Sequence, residues 1–260
     1  MDLGIKGRRA IVCASSRGLG KACATALSQA GVSVFINGLD ADRLNAAAEE
    51  ISKLSGCEVV PIQADINMPE GREKLLAACP DPDILVNNNA GPTPKHYSQI
   101  TPEMWEHALE ANMLAAIYLI QAVMPKMRER KFGRIVNITS AMVKSPHISD
   151  MGLSVAARTG LTAFCKATSR EVVIDNVTIN NLLPERFDTG RQVFMANKVS
   201  KEEGITYEEA RQKIVETIAA KRFGRPEEFG NTCAFVCGVH AGFMSGQSIQ
   251  LDGGSFHGLL

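Results

Sequence analysis

The stretch CASSRGLGKACATAL, residues 13–27, marks a turn from a strand into a helix. It follows an apolar run, and Gly18 and Gly20 let the backbone approach a ligand closely. The first turn of a helix offers unpaired N–H groups and the positive end of the helix dipole, which suit a pyrophosphate. The stretch therefore predicts a phosphate-binding turn, although a glycine-rich turn without a ligand has the same pattern.

Short apolar runs alternate with longer helical patterns along the chain, which predicts βαβ units and a parallel sheet. Their continuous Val, Ile and Leu content is typical of strands that are buried on both faces. The predicted strands are 9–14, 32–37, 57–64, 83–87, 134–139, 177–183 and 248–251. The predicted helices are 18–30, 41–54, 70–78, 102–129, 152–175 and 226–237. The fold class is therefore α/β, with a seven-stranded doubly wound parallel sheet and helices on both faces.

Two segments carry further expectations about organisation. Residues 187–222 are rich in Lys, Glu and Gln and predict an inserted helical pair, which at this point of the fold would be a substrate lid. Residues 102–129 are apolar nearly all round, which predicts a helix buried against the sheet and against another subunit. We expect residues 1–260 to form a single domain.

Composition excludes several function classes. Lys plus Arg and Asp plus Glu number 28 each, and no basic block stands out, so neither a nucleic acid nor a membrane partner is expected. A small-molecule substrate is the better hypothesis. The chain shows no signal peptide and no apolar run of about 18 residues, which indicates a cytoplasmic protein. The seven cysteines form no C-x-x-C pair, so they are interpreted as reduced core thiols, and no metal site is predicted.

Motifs along residues 6–254 resemble those of the short-chain dehydrogenase/reductase family, and especially its 3-oxoacyl-(acyl-carrier-protein) reductase-like members. The turn at 13–20 is similar to the family's T-G-x-x-x-G-x-G, with Cys13 and Ala14 in place of Thr and Gly. Alanine is expected to be tolerated there if its φ is negative. The other matching motifs are QADI around Asp65, Asn88–Gly91 as N-N-A-G, Asn112, Ser140, Pro184 followed by Glu185 in place of glycine, GRPEEFG and SGQSIQLDGG.

The resemblance implies a Rossmann fold that binds NAD or NADP. The residues it assigns to the cofactor are Ser15, Ser16, Arg17, Gly18, Leu19, Gly20, Asp65, Ile66, Asn89, Ala90, Gly91 and Pro184. Structural alternatives stay open for some of the matched residues: the asparagines at 88 and 89 as ties between strand ends, Asn112 as a core amide, and Asp65 as a helix cap.

The choice between NAD and NADP depends on the residues that meet the adenosine ribose after the second strand. Gly38 and Leu39 stand where relatives place the discriminating Asp or Arg. Arg17 suits a 2′-phosphate, whereas Asp40 suits a free 2′-hydroxyl, and Arg17 as a solvated surface charge remains an alternative. On balance these residues favour NADP.

The family's catalytic Tyr-x-x-x-Lys pair is missing. Aligned on Gly160, the segment GLSVAARTGL (residues 152–161) has Ser154 at the tyrosine and Arg158 at the lysine. The other register, with Leu153 and Ala157, also lacks a phenol. Serine is a far weaker acid than tyrosine, and arginine shuttles protons poorly.

The predicted catalytic set follows from the resemblance and from the loop after the fifth strand. It comprises Ser140, Asn112, Ser154, Arg158 and Lys144. We hypothesise that Lys144 or His147 polarises the substrate together with Ser140, with Tyr97 as a third candidate. Each of these three is more commonly an ordinary loop residue.

These observations favour an NAD(P)-dependent oxidoreductase acting on a carbonyl or an alcohol, with atypical acid and base residues. Two alternatives remain: a redox-inactive nucleotide-binding or partner subunit, and a lyase or isomerase on the same fold. Relatives commonly pair through helices equivalent to those from Pro102 and Gly152, so a homotetramer or homodimer is expected.

Overall fold

One sheet of seven parallel strands organises the computed structural model, which describes residues 1–259. The strands are β1 (Arg9–Val12), β2 (Ser33–Gly38), β3 (Val59–Gln63), β4 (Ile84–Asn87), β5 (Gly133–Ile138), β6 (Val177–Pro184) and β7 (Ser248–Leu251). Their order is β3-β2-β1-β4-β5-β6-β7, and every neighbouring pair is parallel. The predicted seven-stranded α/β fold is confirmed.

Helices cover both faces of this sheet. They are α1 (Gly18–Gln29), α2 (Ala41–Ser55), α3 (Pro69–Ala78), α4 (Pro102–Leu109), α5 (Ala115–Glu129), α6 (Gly152–Val172), α7 (Gly190–Glu203), α8 (Tyr207–Glu216) and α9 (Pro226–Cys237). Strand residues alternate between the two faces. Ala10 and Val12 belong to the core beneath α1, α2 and α9, whereas Ile11 belongs to the core beneath α5 and α6.

The predicted helix 102–129 is interrupted, so its prediction as one continuous α-helix was wrong. A π turn at Glu110–Leu114 separates α4 from α5. A π turn redirects a main-chain carbonyl away from the helical ladder. Here the carbonyl of Ala111 accepts a hydrogen bond from the Asn89 side chain at 3.0 Å. A partner outside the helix therefore accounts for the interruption.

The same stretch, Pro102–Glu129, is long and apolar enough by composition to cross a membrane. Half of its most apolar window is buried within the structure. Leu119, Ile120 and Val123 of α5 pack into the core beneath the sheet. This burial is typical of the core helix of a soluble protein.

Residues 187–222 contain α7 and α8, which follow β6 and share a small apolar core of their own. Ala196 of α7 packs with Ala210 and Ile214 of α8, and Phe223 closes the cluster. A capping box at Thr206 and Glu209 begins α8. Apolar contacts between α7 and α8 thus stabilise the pair beyond the carboxyl end of the sheet.

Helices α1 and α9 approach each other so closely that only glycine fits at one point. A Cβ at Gly230 would lie 2.3 Å from the carbonyl oxygen of Ala22. Replacing Gly230 with alanine must therefore push the two helices apart. We expect a loss of about 1–3 kcal/mol in the free energy of unfolding, measured by urea denaturation.

Gly152 provides the matched control for this change. A Cβ there would meet nothing within 4 Å, and the residue opens α6 with a negative φ. Gly152→Ala should leave the free energy of unfolding unchanged or raise it by up to about 1 kcal/mol. Equal losses in both variants would contradict the close-packing argument.

Candidate active site

The candidate site lies at the carboxyl edge of the sheet, where the chain order reverses between β1 and β4. Loops that follow β1, β4, β5 and β6 all leave the sheet at this edge. In open parallel sheets, ligands bind in the crevice that forms at such a switch point. The residues predicted from the sequence lie on the turn between β1 and α1, on the loops after β3, β4 and β5, at the end of β6, in the π turn and on α6.

The turn between β1 and α1 has the geometry that a pyrophosphate needs. Arg17 is the N-cap of α1 in an extended conformation and makes no side-chain cap bond, so the first N–H groups of the helix stay available. Gly18 has φ +59°. A Cβ at Gly20 would lie 2.5 Å from the carbonyl oxygen of Ala14. Only glycine therefore lets α1 begin this close to the turn, and the uncapped N–H groups of the helix fit a dinucleotide phosphate.

Ala14 departs from the expectation of a negative φ, because its φ is +43°. L-residues pay about 1–2 kcal/mol in this left-handed region, which glycine enters freely. Hydrogen bonds hold the conformation: the Ala14 N–H donates to Asn37 Oδ1 at 3.3 Å, and its carbonyl accepts from Asn88 Nδ2 at 3.1 Å. The replacement of the family's glycine thus keeps the shape of the turn with some strain.

The two serines of the turn differ in their surroundings. Ser15 is fully buried, donates its hydroxyl hydrogen bond to the Val12 carbonyl at 2.6 Å and accepts from the Asn37 N–H at 3.1 Å. Its side chain therefore ties the turn to the sheet. Ser16 is half-buried and lies against Gly38. Leu19 packs against the core beneath α1.

Asp65 and Ile66 follow β3, on the side predicted to meet the adenine. Asp65 Oδ1 accepts from the Asn67 N–H at 3.0 Å, which forms a local turn and does not cap α3. Ile66 is buried and lines the small cavity beside Asn88 and Asn89. The carboxylate of Asp65 keeps a second oxygen for a ligand.

The Asn88–Gly91 segment is tied to its neighbours by amides. Asn89 Nδ2 donates to Asn67 Oδ1 at 2.7 Å as well as to the π turn, and Asn112 Nδ2 donates to the Ala90 carbonyl at 3.2 Å. These bonds fit the structural alternatives given above, in which Asn89 ties neighbouring segments together and Asn112 is a hydrogen-bonded core amide. Gly91 is exposed to the cleft. The segment is therefore rigid, and its ligand-facing surface is mainly backbone.

The residues after β2 show how the adenosine ribose would be met. Asp40 caps α2 by accepting from the Arg43 N–H at 2.9 Å, and its carboxylate pairs with the Arg43 guanidinium at 3.0 Å. Arg17 is exposed and has no carboxylate within 4.0 Å among the described residues. The Asp40 carboxylate is thus paired with Arg43, whereas the Arg17 guanidinium has no acidic partner among the described residues.

Ser154 and Arg158 share one face of α6 that is directed at the Asn88–Gly91 segment. A Cβ at Gly91 would lie 3.2 Å from Arg158 Nη2 and 4.0 Å from Ser154 Oγ. Arg158 Nη1 donates to the main-chain carbonyl of Thr139 at the end of β5. The register aligned on Gly160 is therefore the one that brings both side chains to the cleft.

The Arg158 guanidinium is a desolvated cation. Burial, and then the positive charge of Arg191, lowers its pKa to about 10. Its Nε–H is buried and has no hydrogen-bond partner. At neutral pH the group stays protonated, so it contributes charge and hydrogen bonds to the site and does not act as an acid.

The loop after β5 carries the remaining catalytic candidates. Ser140 Oγ accepts from the Met142 N–H at 3.2 Å, and Lys144 is exposed without a side-chain partner. His147 Nδ1 bonds the Ser145 carbonyl at 2.9 Å, and its Nε2 lies 3.9 Å from Glu185 Oε1. Two loops therefore meet at His147, those after β5 and β6.

Tyr97 is the one tyrosine that lies on this edge of the sheet. It is 77% exposed and stacks on the His96 ring at 4.4 Å between centroids. The Lys95 N–H donates to the Asp150 carbonyl at 2.8 Å, so the tyrosine's loop contacts the segment that precedes α6. In this conformation its phenol points into solvent.

Comparisons with known proteins identify the family to which the chain belongs. A family model described as enoyl-(acyl carrier protein) reductase matches residues 13–256. The chain belongs to the short-chain dehydrogenase/reductase family. The 3-oxoacyl-(acyl-carrier-protein) reductase of Aquifex aeolicus is 29% identical, over 98% of this chain and 100% of its own length. Acetoacetyl-CoA reductase of Shinella zoogloeoides is 30% identical, over 96% and 98%. The crystal structure of Gluconobacter frateurii L-sorbose reductase with NADPH and L-sorbose has a TM-score of 0.93 at 28% identity, with both chains fully covered.

Two residues that the short-chain dehydrogenase/reductase motifs did not single out, Thr189 and Arg191, also lie near the site, together with Glu185, which the motifs marked only as a replacement for glycine. Thr189 lies close to the phosphate turn, since a Cβ at Gly18 would be 3.9 Å from Thr189 Cγ2. Glu185 lies beside His147, and Arg191 stands in the first turn of α7. The available signal was a run of charged residues directly after a buried strand, where loops of a parallel sheet carry ligand-binding groups.

The strained turn allows a test. Ala14→Gly removes the left-handed penalty of about 1–2 kcal/mol and adds an unfolded-state entropy cost of about 0.5–1 kcal/mol. We expect the free energy of unfolding to stay equal or rise by up to about 1 kcal/mol. Ala163→Gly, at an exposed position inside α6, should lower it by about 1 kcal/mol. Equal destabilisation in urea titrations of both variants would show that residue 14 is not strained.

Proposed function

We propose that this chain transfers hydride between a nicotinamide dinucleotide and a carbonyl or alcohol substrate. The observation that carries the proposal is the phosphate turn, in which Gly20 lets α1 begin close against the turn and the first N–H groups of α1 are uncapped. The dinucleotide would be held by this turn, by Asp65 and Ile66, by the backbone of Asn89–Gly91 and by Pro184. When bound, it supplies the hydride. Relatives named for the reduction of 3-oxoacyl, acetoacetyl and sorbose groups support the substrate class.

NADP is the cofactor that the site favours. Asp40 is engaged by Arg43, whereas Arg17 is an exposed cation at the same end of the cleft. A 2′-phosphate would therefore find a free cation and an already neutralised acid. Titration calorimetry should give a lower Kd for NADPH than for NADH, and Arg17→Ala should weaken NADPH binding while leaving NADH binding unchanged. Tighter NADH binding would reverse the assignment.

The proton in this reaction comes from a group other than Ser154. Ser140 would orient the substrate oxygen, and His147 is the better placed of the two loop candidates. Its Nδ1 bonds the Ser145 carbonyl at 2.9 Å and its Nε2 lies 3.9 Å from Glu185 Oε1, so the ring lies between the loops that follow β5 and β6. Lys144 lacks such a partner.

Turnover of single variants tests this assignment. General acid catalysis is typically worth about 10²- to 10⁴-fold, so His147→Ala should lower kcat by at least about tenfold. Lys144→Ala should have a smaller effect. The control is His240→Ala, because His240 bonds the Asp2 carbonyl at the opposite end of the chain. Full turnover in both loop variants would exclude both residues.

A redox-inactive nucleotide-binding subunit is the second candidate. It is favoured by the Arg158 guanidinium, which bridges the end of β5 and Gly91 where the family has a lysine. Dinucleotide binding without hydride transfer to any ketone or 3-oxoacyl thioester would support this candidate. Absence of binding would exclude it together with the oxidoreductase.

Restoring the family's pair is the sharpest test of the site. The double change Ser154→Tyr with Arg158→Lys should give or raise ketone reduction by about 10²-fold or more, because it returns a phenol with a lysine four residues later on one helix face. Ser154→Tyr alone and Arg158→Lys alone serve as controls that lack the pair. A folded double variant that still binds dinucleotide without any gain would contradict the placement of these residues at the reaction centre.

We also propose that the chain forms a homotetramer or homodimer through α4, α5 and α6. Trp105 of α4 and Tyr118 of α5 leave large apolar surfaces exposed. Trp105→Glu should reduce the mass measured by light scattering, whereas Leu54→Glu, at an exposed position of α2, should not. A monomeric wild-type protein would contradict the assembly.

A further inference from the structure

Two arginines at the substrate side of the site have no counter-ion. Among the described residues, no carboxylate lies within 4.0 Å of Arg158 or of Arg191. After burial, the positive charge of Arg191 contributes to the lowered pKa of Arg158. A desolvated cation is costly unless it is paired. Arg158 is such a cation, whereas Arg191 is exposed to solvent, and neither has an acidic partner among the described residues.

The nearby acids are already engaged by other cations. Asp188 receives two bonds from Arg211, at 2.9 and 3.0 Å. Glu185 faces Arg186 and His147. Neither acid therefore neutralises the two arginines, although both precede Arg191 by only a few residues. An external anion is the remaining way to compensate the charge.

The donors of Arg158 are only partly used. Its Nη1 bonds main-chain carbonyls at the end of β5, Nη2 borders Gly91, and the buried Nε–H has no partner. Arg191 lies in the first turn of α7, a helix of 14 residues whose N-cap, Thr189, makes no side-chain cap bond. No acid stands in that first turn. The free N–H groups and the two guanidinium groups favour the same sign of charge in a ligand.

We infer that Arg158 and Arg191 bind a carboxylate of the substrate, so that the substrate is a small oxo acid or the corresponding hydroxy acid. This rests on the proposed function for its carbonyl or alcohol half. Arginine suits the role better than lysine because its planar guanidinium bonds a carboxylate in a bidentate fashion. The exchange of the family's lysine for Arg158 then changes substrate recognition as well as proton transfer.

The same chemistry has a second source, the pyrophosphate of the dinucleotide. Thr189 contacts the phosphate turn, and Arg191 lies two residues further along α7. The experiment therefore uses protein saturated with oxidised dinucleotide, in which oxo acids bind without turnover. A carboxylate of the substrate must still bind there, whereas a site already filled by pyrophosphate would bind none.

Three oxo acids serve as probes, each compared with its uncharged amide: acetoacetate, 4-methyl-2-oxopentanoate and benzoylformate. Titration calorimetry should give, for at least one acid, a Kd about tenfold or more below that of its amide, since hydrogen bonds to charged groups contribute about 1.5–3 kcal/mol. Arg191→Ala should raise the Kd of that oxo acid about fivefold, and Arg158→Gln should raise it further. The Kd of the amide should stay unchanged in both variants. Arg191→Lys should retain part of the affinity.

Lys198→Ala is the matched control, because it removes one positive charge from the same helix. Lys198 pairs with Glu202 at 3.6 Å. The Lys198→Ala change should leave every Kd unchanged. Equal affinities of acids and amides, or an equal loss in the Lys198 and Arg191 variants, would overturn the inference. Carboxylate binding that occurs only without dinucleotide, and that inorganic pyrophosphate abolishes, would assign the anion to the cofactor and also overturn it. The proposed function fails by a different measurement, if the protein does not bind dinucleotide or does not transfer hydride.

Discussion

Buried asparagine amides hold together the loops from which the site is built. Loops at the carboxyl edge of a parallel sheet have no ladder of backbone hydrogen bonds, so their polar groups need other partners. Asn37 serves three segments at once: its Oδ1 accepts from Ala14, and its Nδ2 donates to the carbonyls of Ile62 and Ala64 at 3.2 and 2.8 Å. The phosphate turn, the adenine side and the second strand are therefore fixed relative to one another by one side chain.

Hydrogen bonds between buried asparagine side chains also connect neighbouring strands of the sheet. Asn87, Asn137 and Asn181 stand side by side on β4, β5 and β6, and their amides bond in a row at 2.9 and 3.0 Å. A fully paired buried amide costs little, whereas an unpaired one is expensive. The row therefore selects a single register for three strands that carry the catalytic loops. This register brings the ends of β4 and β5 to the two sides of Arg158.

The sequence could predict the elements because their signals are local. Continuous apolar runs marked all seven strands, and the observed ends differ by only one or two residues, as at β3, where Val59–Gln63 lies inside the predicted 57–64. The π turn at Glu110–Leu114 was not predictable, since it exists to satisfy Asn89, a partner 22 residues away. The positive φ of Ala14 was missed for the same reason: bonds from two distant asparagines impose it on a residue that ordinarily avoids it.

The site shows the same division between local and long-range causes. Motif spacing located Ser154 and Arg158 on one helix face, but it carried no information on the charges around them. Only the folded chain shows that Asp188 pairs with Arg211 and that the positive charge of Arg191 contributes to the lowered pKa of Arg158. A lysine at residue 158 would have three rotatable donors and would pair with a single acceptor as a point charge. The Arg158 guanidinium bonds the Thr139 carbonyl through Nη1 and keeps further donors, and the anion-binding role inferred for it depends on those donors.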